Sequence, residues 1–203
     1  MKHAICVGVL FVLLGACRSL PFPDPELEGE YGKKLALWTR SVALYSGLET
    51  RGFCRAVYLS SDFVDAQAKK ISEMRAELPD EAQQTREKLR AQTASPTVFA
   101  IFYSPDKQSN DWNEKDSIWR IALNLGMGEV EPQKIERYDR PFNAELRTLY
   151  PYLDDYSVGY MIHFPRQQAP PDFRPTDAQM IVAGAPGKMQ FKWSFLHPEN
   201  DKH

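Results

Sequence analysis

Cysteine is nearly absent from this chain: three occur in 203 residues, at Cys6, Cys17 and Cys54. A disulfide framework is excluded, because Cys6 and Cys17 belong to an apolar leader and its boundary, which leaves Cys54 without a partner. Histidine is almost as scarce. His3 lies in the leader, His197 in a polar tail and His203 at the terminus, so His163 alone sits in a strand-like segment and no zinc-ligand spacing can be assembled. Phosphate-cradling glycine loops and nucleophile elbows are missing too. Gly126-Met127-Gly128 lacks the rest of a dinucleotide fingerprint and reads as a turn. Basic runs are also missing. With 25 Lys and Arg against 27 Asp and Glu, the chain offers no electrostatic footprint for nucleic acid and no polybasic patch for anionic lipid.

What the chain does have begins at residue 1. Met1-Lys2-His3 precedes an apolar run from Ala4 to Ala16, and Cys17 follows. A cationic start, a short apolar stretch and small residues at its end form the pattern of a secretory signal. Thirteen residues of helix span only about 20 Å at 1.5 Å each, short of the roughly 30 Å hydrocarbon core, so the run is a leader rather than a membrane span. Leu14-Gly15-Ala16-Cys17 resembles the lipobox of bacterial lipoproteins. That resemblance covers residues 1–17 only. It implies diacylglycerol transfer to the Cys17 thiol, cleavage before Cys17 and acylation of the new amino terminus. Two or three acyl chains hold firmly at about 0.8 kcal/mol per buried CH₂. The position after the cysteine is Arg18 rather than the aspartate associated with inner-membrane retention, so the resemblance points towards the outer membrane. Cleavage removes Lys2, the only charge before Cys17, and leaves 24 basic residues against 27 acidic ones. Residues 18–30 carry Pro21, Pro23 and Pro25, which favour an extended spacer between lipid and domain.

Behind the spacer, apolar and polar residues alternate at the strand period in several segments. Met189, Phe191, Trp193 and Phe195 form one stripe. Trp119, Ile121, Leu123 and Leu125 form a second, and Val158, Tyr160, Ile162 and Phe164 a third. Val98–Tyr103 is apolar on both faces and predicts a central strand, while Cys54 shares a strand face with Ala56 and Tyr58 as an inert, buried thiol. Ala185-Pro186-Gly187-Lys188 predicts a hairpin turn with Pro186 and Gly187 at its centre. A weaker strand is expected over 129–138, and residues 33–46 read as strand despite helical spacing at Leu35, Trp38, Val42 and Tyr45. One helical block interrupts the strands. Asp62 is expected to cap a helix whose stripe is Val64, Ala68, Ile71, Met74 and Leu78, with Pro79 stopping it. Asp80 and Gln83 suggest a capping box for a second, very polar helix to Gln92, and a short helix is expected over 143–150.

Together these features predict a mainly β fold, an antiparallel immunoglobulin-like sandwich of seven or eight strands with a helical insertion near 62–92. A closed barrel is the competing architecture. The expected organisation is a signal peptide over 1–16, lipidated Cys17 and tether over 17–30, one domain over 31–197 and a tail over 198–203. No cofactor is expected beyond covalent lipid on Cys17.

Candidate functional residues are few. Trp112, Tyr150, Tyr152, Tyr156 and Phe173 fall in loops, where aromatic rings supply contact area to partners. Asp154 and Asp155 are paired carboxylates, but neighbours in extended chain point apart and need a turn to converge. The anchor that the lipobox resemblance implies, the spacer, the β architecture and the lack of catalytic motifs favour a non-enzymatic envelope protein that binds a partner protein or helps organise a membrane-bound assembly. The alternatives are a carrier of hydrophobic ligands with a barrel cavity and a hydrolase built on Asp154, Asp155 or His163.

Overall fold

The computed structural model describes residues 27, 29–168, 170 and 172–196. The leader, Cys17, most of the expected spacer and the tail, including His197, lie outside them. Helix α1 (Gly29–Trp38) leads into strands β1 (Thr39–Ser46) and β2 (Glu49–Tyr58). Helices α2 (Ser61–Arg75) and α3 (Pro79–Gln92) follow, then β3 (Thr97–Tyr103), β4 (Trp119–Asn124), β5 (Glu129–Val130) and β6 (Lys134–Tyr138). Helix α4 (Ala144–Leu149) precedes β7 (Val158–His163), β8 (Asp177–Gly184) and β9 (Gly187–Ser194). The strands form two sheets, ordered β1-β2-β3-β7-β6 and β5-β4-β8-β9, with every pairing antiparallel.

The alternating stripes meet between the sheets. Cys54, Ala56 and Tyr58 lie in register with Phe102, Ala100 and Val98, and these with Val158, Tyr160 and Ile162. That face packs on the second sheet's stripes, with Tyr58 5.6 Å from Trp193 and Phe102 5.7 Å from Trp119 between ring centroids. The opposite face of the first sheet is covered by helices. Tyr150, which ends α4, lies 4.2 Å from Phe99, and the Gln67 amide of α2 donates to its hydroxyl at 3.1 Å. Helices, sheet and sheet therefore stack as three layers. This is why β3 is apolar on both sides: its two faces belong to two different interfaces.

Cys54 is fully buried, and burial pushes its thiol well above the ordinary range. A thiol reagent should therefore label Cys54 only on unfolding, with a labelling rate that follows denaturant. Fast labelling in native buffer would show a core that opens locally.

Several local expectations are corrected. Residues 33–46 are not one strand: they divide at Trp38/Thr39. Leu35 and Trp38, three apart, are buried on a helix, and the Thr39 hydroxyl donates back to the Leu35 carbonyl at 2.6 Å, closing the last turn. The strand expected over 129–138 splits around Pro132, which has no N–H for a ladder, into β5 in one sheet and β6 in the other. Gly184 pairs with Gly187, so the β8–β9 turn centres on Ala185 and Pro186, one residue earlier than expected. Gly187 instead has φ +143°, and a Cβ there would lie 2.6 Å from Leu44 Cδ1. The cap of α2 is Ser60, whose hydroxyl oxygen accepts from the Phe63 N–H at 3.3 Å, while Asp62 holds Lys34 and the Trp38 indole. Helix α2 ends at Arg75 with Ala76 left-handed (φ 50°), and Pro79 opens α3 rather than merely stopping α2. Glu81, not Gln83, accepts from the backbone N–H preceding that helix. Among the described residues there are nine strands rather than seven or eight. Three successive strands lie side by side in the first sheet, an order unlike the A-B-E-D and C-F-G sheets of immunoglobulin domains.

The helical insertion joins β2 to its neighbour β3, and α3 buries no residue. Half-buried Leu89 packs against the core, and ion pairs add to that hold. Asp65 accepts two bonds from Arg86 (3.0 and 2.8 Å) and two from Arg90 (2.7 and 2.6 Å). These guanidinium groups hold its carboxyl well below the usual range. A depressed folded pKa means that the stabilisation is complete above the unfolded value of about 3.9 and fades as pH falls below it. Asp65→Asn should weaken α3 docking by about 1 kcal/mol. Amide exchange should accelerate over residues 79–92 while the sandwich melts almost unchanged. Wild type should approach the variant's behaviour below about pH 4.

Candidate functional site

The structure separates the residues proposed for chemistry. Asp154 Oδ1 accepts from the Tyr156 and Ser157 N–H groups at 2.8 Å each, so this carboxylate closes the turn before β7. Asp155 points outward to Arg147 at 2.7 Å, and that guanidinium lowers its pKa. His163 lies at the far end of β7, roughly 16 Å away at about 3.3 Å per residue. There its Nδ1 is 3.3 Å from Thr97 Oγ1 and its Nε2 3.8 Å from Glu136. The carboxylates and the imidazole thus share no pocket. Among the described residues, no group of three or more His, Cys, Asp or Glu could hold a metal ion.

The loop aromatics divide sharply. Trp112 is buried between the sheets, stacked 4.8 Å from Phe102 and 5.0 Å from Tyr160. Tyr150 and Tyr152 are buried under the helical layer, Tyr152 lying 4.9 Å from the Arg55 guanidinium over its ring. These three side chains fasten loops to the sandwich and offer no surface to a partner. Phe173 is half-buried beside Gly126. Tyr156 stands out, 74% exposed.

No family model, curated protein or solved structure matches the chain. The chain turns at one end of the sandwich between β1 and β2, after β3, before β4, before β7 and between β8 and β9. At that end Leu48 is wholly exposed, at 104%, on the tip of the β1–β2 hairpin, with Tyr45 at 52% beside it in sequence. Ile118 (45%) precedes β4, and Tyr156 precedes β7. Sequence patterning missed Tyr45, Leu48 and Ile118. The available signal was Ser46-Gly47 between two apolar segments, a turn that puts Leu48 at its apex with nothing to pack against; Gly47 supplies φ +62°.

A groove of about 690 Å³ lies at the same end, lined by Ser46, Glu49, Arg51, Ser104, Asp106 and Pro186. A second, of about 760 Å³, runs between α1, α2 and α3 and is lined by charged residues including Lys34, Asp62, Lys69 and Glu77. Both are open clefts edged by charged side chains, unlike the closed cavity that holds a lipid. Among the described residues no helix is long and apolar enough to cross a membrane.

Proposed function

We propose that this chain is a lipid-anchored protein of the bacterial cell envelope, held in the outer membrane by acyl chains on Cys17, and that its sandwich is a non-enzymatic module that binds a protein partner. One observation carries the binding role. The core takes in Trp112, Tyr150 and Tyr152, yet Tyr45, Leu48, Ile118 and Tyr156 remain exposed at a single end of the fold, away from the scattered exposed Met74, Leu78 and Leu196. Large apolar side chains gathered on a rigid frame are what a contact surface requires. The likeness to immunoglobulin domains is then one of use, loops presented from the end of a sandwich, rather than of strand order. The partner's complementary chemistry is an apolar patch ringed by hydrogen-bonding groups that suit Glu49, Arg51 and Asp106.

The test is photo-crosslinking in native membranes from positions 48 and 156, with Gln190, on the exposed face of β9, as control. A single adduct should form from the first two positions and not from the third. Leu48→Asp with Ile118→Asp should reduce it at least tenfold while circular dichroism stays unchanged. Equal adducts from all three positions, or none, would contradict the proposal.

A further inference from the structure

The first sheet ends at β6, whose outer side has no strand beyond it among the described residues. Lys134 and Arg137 are exposed there, and Ile135, Glu136 and Tyr138 are half-buried. An exposed edge of this kind is a template for another strand, and charges commonly blunt it. Here the charges alternate in sign.

The register fixes which backbone groups face outward. The Phe164 N–H donates to the Pro96 carbonyl, so with Thr97 opposite His163 the even-numbered residues of this strand bond to the β3 side. Its odd-numbered residues therefore bond to β6, where His163 pairs with Lys134 and Met161 with Glu136. That leaves the N–H and C=O of Ile135 and Arg137 turned to the free edge.

We propose that a second copy of this chain pairs antiparallel with the free edge of β6, about a two-fold axis at Ile135. Two Ile135 residues then exchange both backbone bonds. Lys134 lies opposite the partner's Glu136, and Glu136 opposite the partner's Lys134, in the closer, non-hydrogen-bonded pairs of the ladder. The ion pair now formed within one strand, Lys134 to Glu136 at 2.5 Å, becomes a pair across the interface. Neighbouring registers are rejected. A shift that centres the axis on residue 136 sets Glu against Glu, and one centred on residue 134 sets Lys against Lys. The two-fold makes this an isologous contact that closes at a dimer. It uses an edge of the first sheet, separate from the loop end, and stands independently of the binding role proposed there.

Sedimentation velocity of the purified full chain in mild detergent, across a concentration series to about 100 µM, tests this. Wild type should show a monomer–dimer equilibrium. Lys134→Glu places like charges opposite each other twice and should weaken association about tenfold or more. The double variant Lys134→Glu, Glu136→Lys restores opposite signs and should regain wild-type association to within about threefold. Ile135→Pro, which removes the outward N–H, should abolish the dimer with circular dichroism unchanged. A monomeric wild type throughout the series would overturn the proposal. So would a dimer indifferent to Lys134→Glu, or one that the double variant does not restore.

Discussion

Trp193→Ala is expected to destabilise the domain by about 3–5 kcal/mol, read as a fall in the urea midpoint with an unchanged slope. Trp193 has no exposed surface and lies between Tyr58, at 5.6 Å across the sheets, and Phe191, at 6.2 Å along its own sheet. Its indole N–H also donates to the Trp38 carbonyl at 2.8 Å. This one side chain therefore joins the inter-sheet core to the point where α1 becomes β1. Removing it leaves a cavity that rigid strands cannot close and a buried carbonyl without its donor. Trp193→Phe keeps most of the ring contact and loses the bond, so it should cost only about 1–2 kcal/mol. If the two variants proved equally damaging, the hydrogen bond rather than the packing would dominate at this site.

Gly184→Ala is the second large effect, expected at about 2–3 kcal/mol. A Cβ on Gly184 would be driven into the Ile118 carbonyl oxygen, with the Trp119 ring 3.1 Å away on another side. The obstacle is backbone, so a rotamer change cannot relieve it; β8 must move away from β4 instead. Trp119 pairs with Gly184 in register, and the displacement would pass directly to Ile118 at the loop end. Partner capture from position 48 should fall along with stability. A variant that melts early yet still captures its partner fully at low temperature would show that Ile118 contributes little to that surface.

Strand β9 was readable because one of its faces lies against a single partner layer and the other is exposed. Met189, Phe191 and Trp193 alternate with Lys188, Gln190 and Lys192, and burial follows that alternation without exception. The double-sided apolarity of Val98–Phe102 likewise marked a strand covered on both faces. Residues 33–46 misled for a physical reason. Leu35 and Trp38 satisfy helical spacing while Thr39 and Val42 suit a strand; the strand begins where Thr39 pairs with Val57, and Arg40 beside it reaches the Lys192 carbonyl 152 positions away. No local pattern carries that contact. The α3 helix was legible from its polar composition, but the Asp65 anchor on a different helix was not visible. The candidate site was the least legible part. Trp112, Tyr150 and Tyr156 look alike in sequence, each an aromatic in a segment without strand alternation. Only the fold brings Phe102 and Phe99 within reach of the first two and leaves the third in water.

One fractionation decides where the sandwich is held. Full chain and Cys17→Ser should be expressed side by side in a bacterium with two membranes, and the envelope separated by density. The unaltered chain should band with the outer membrane, resist carbonate extraction and incorporate labelled fatty acid. The serine variant should keep its leader or be released soluble, without label. If the serine variant still processed normally and stayed with the membrane, the lipid anchor would be refuted, and the domain would need another means of reaching the bilayer.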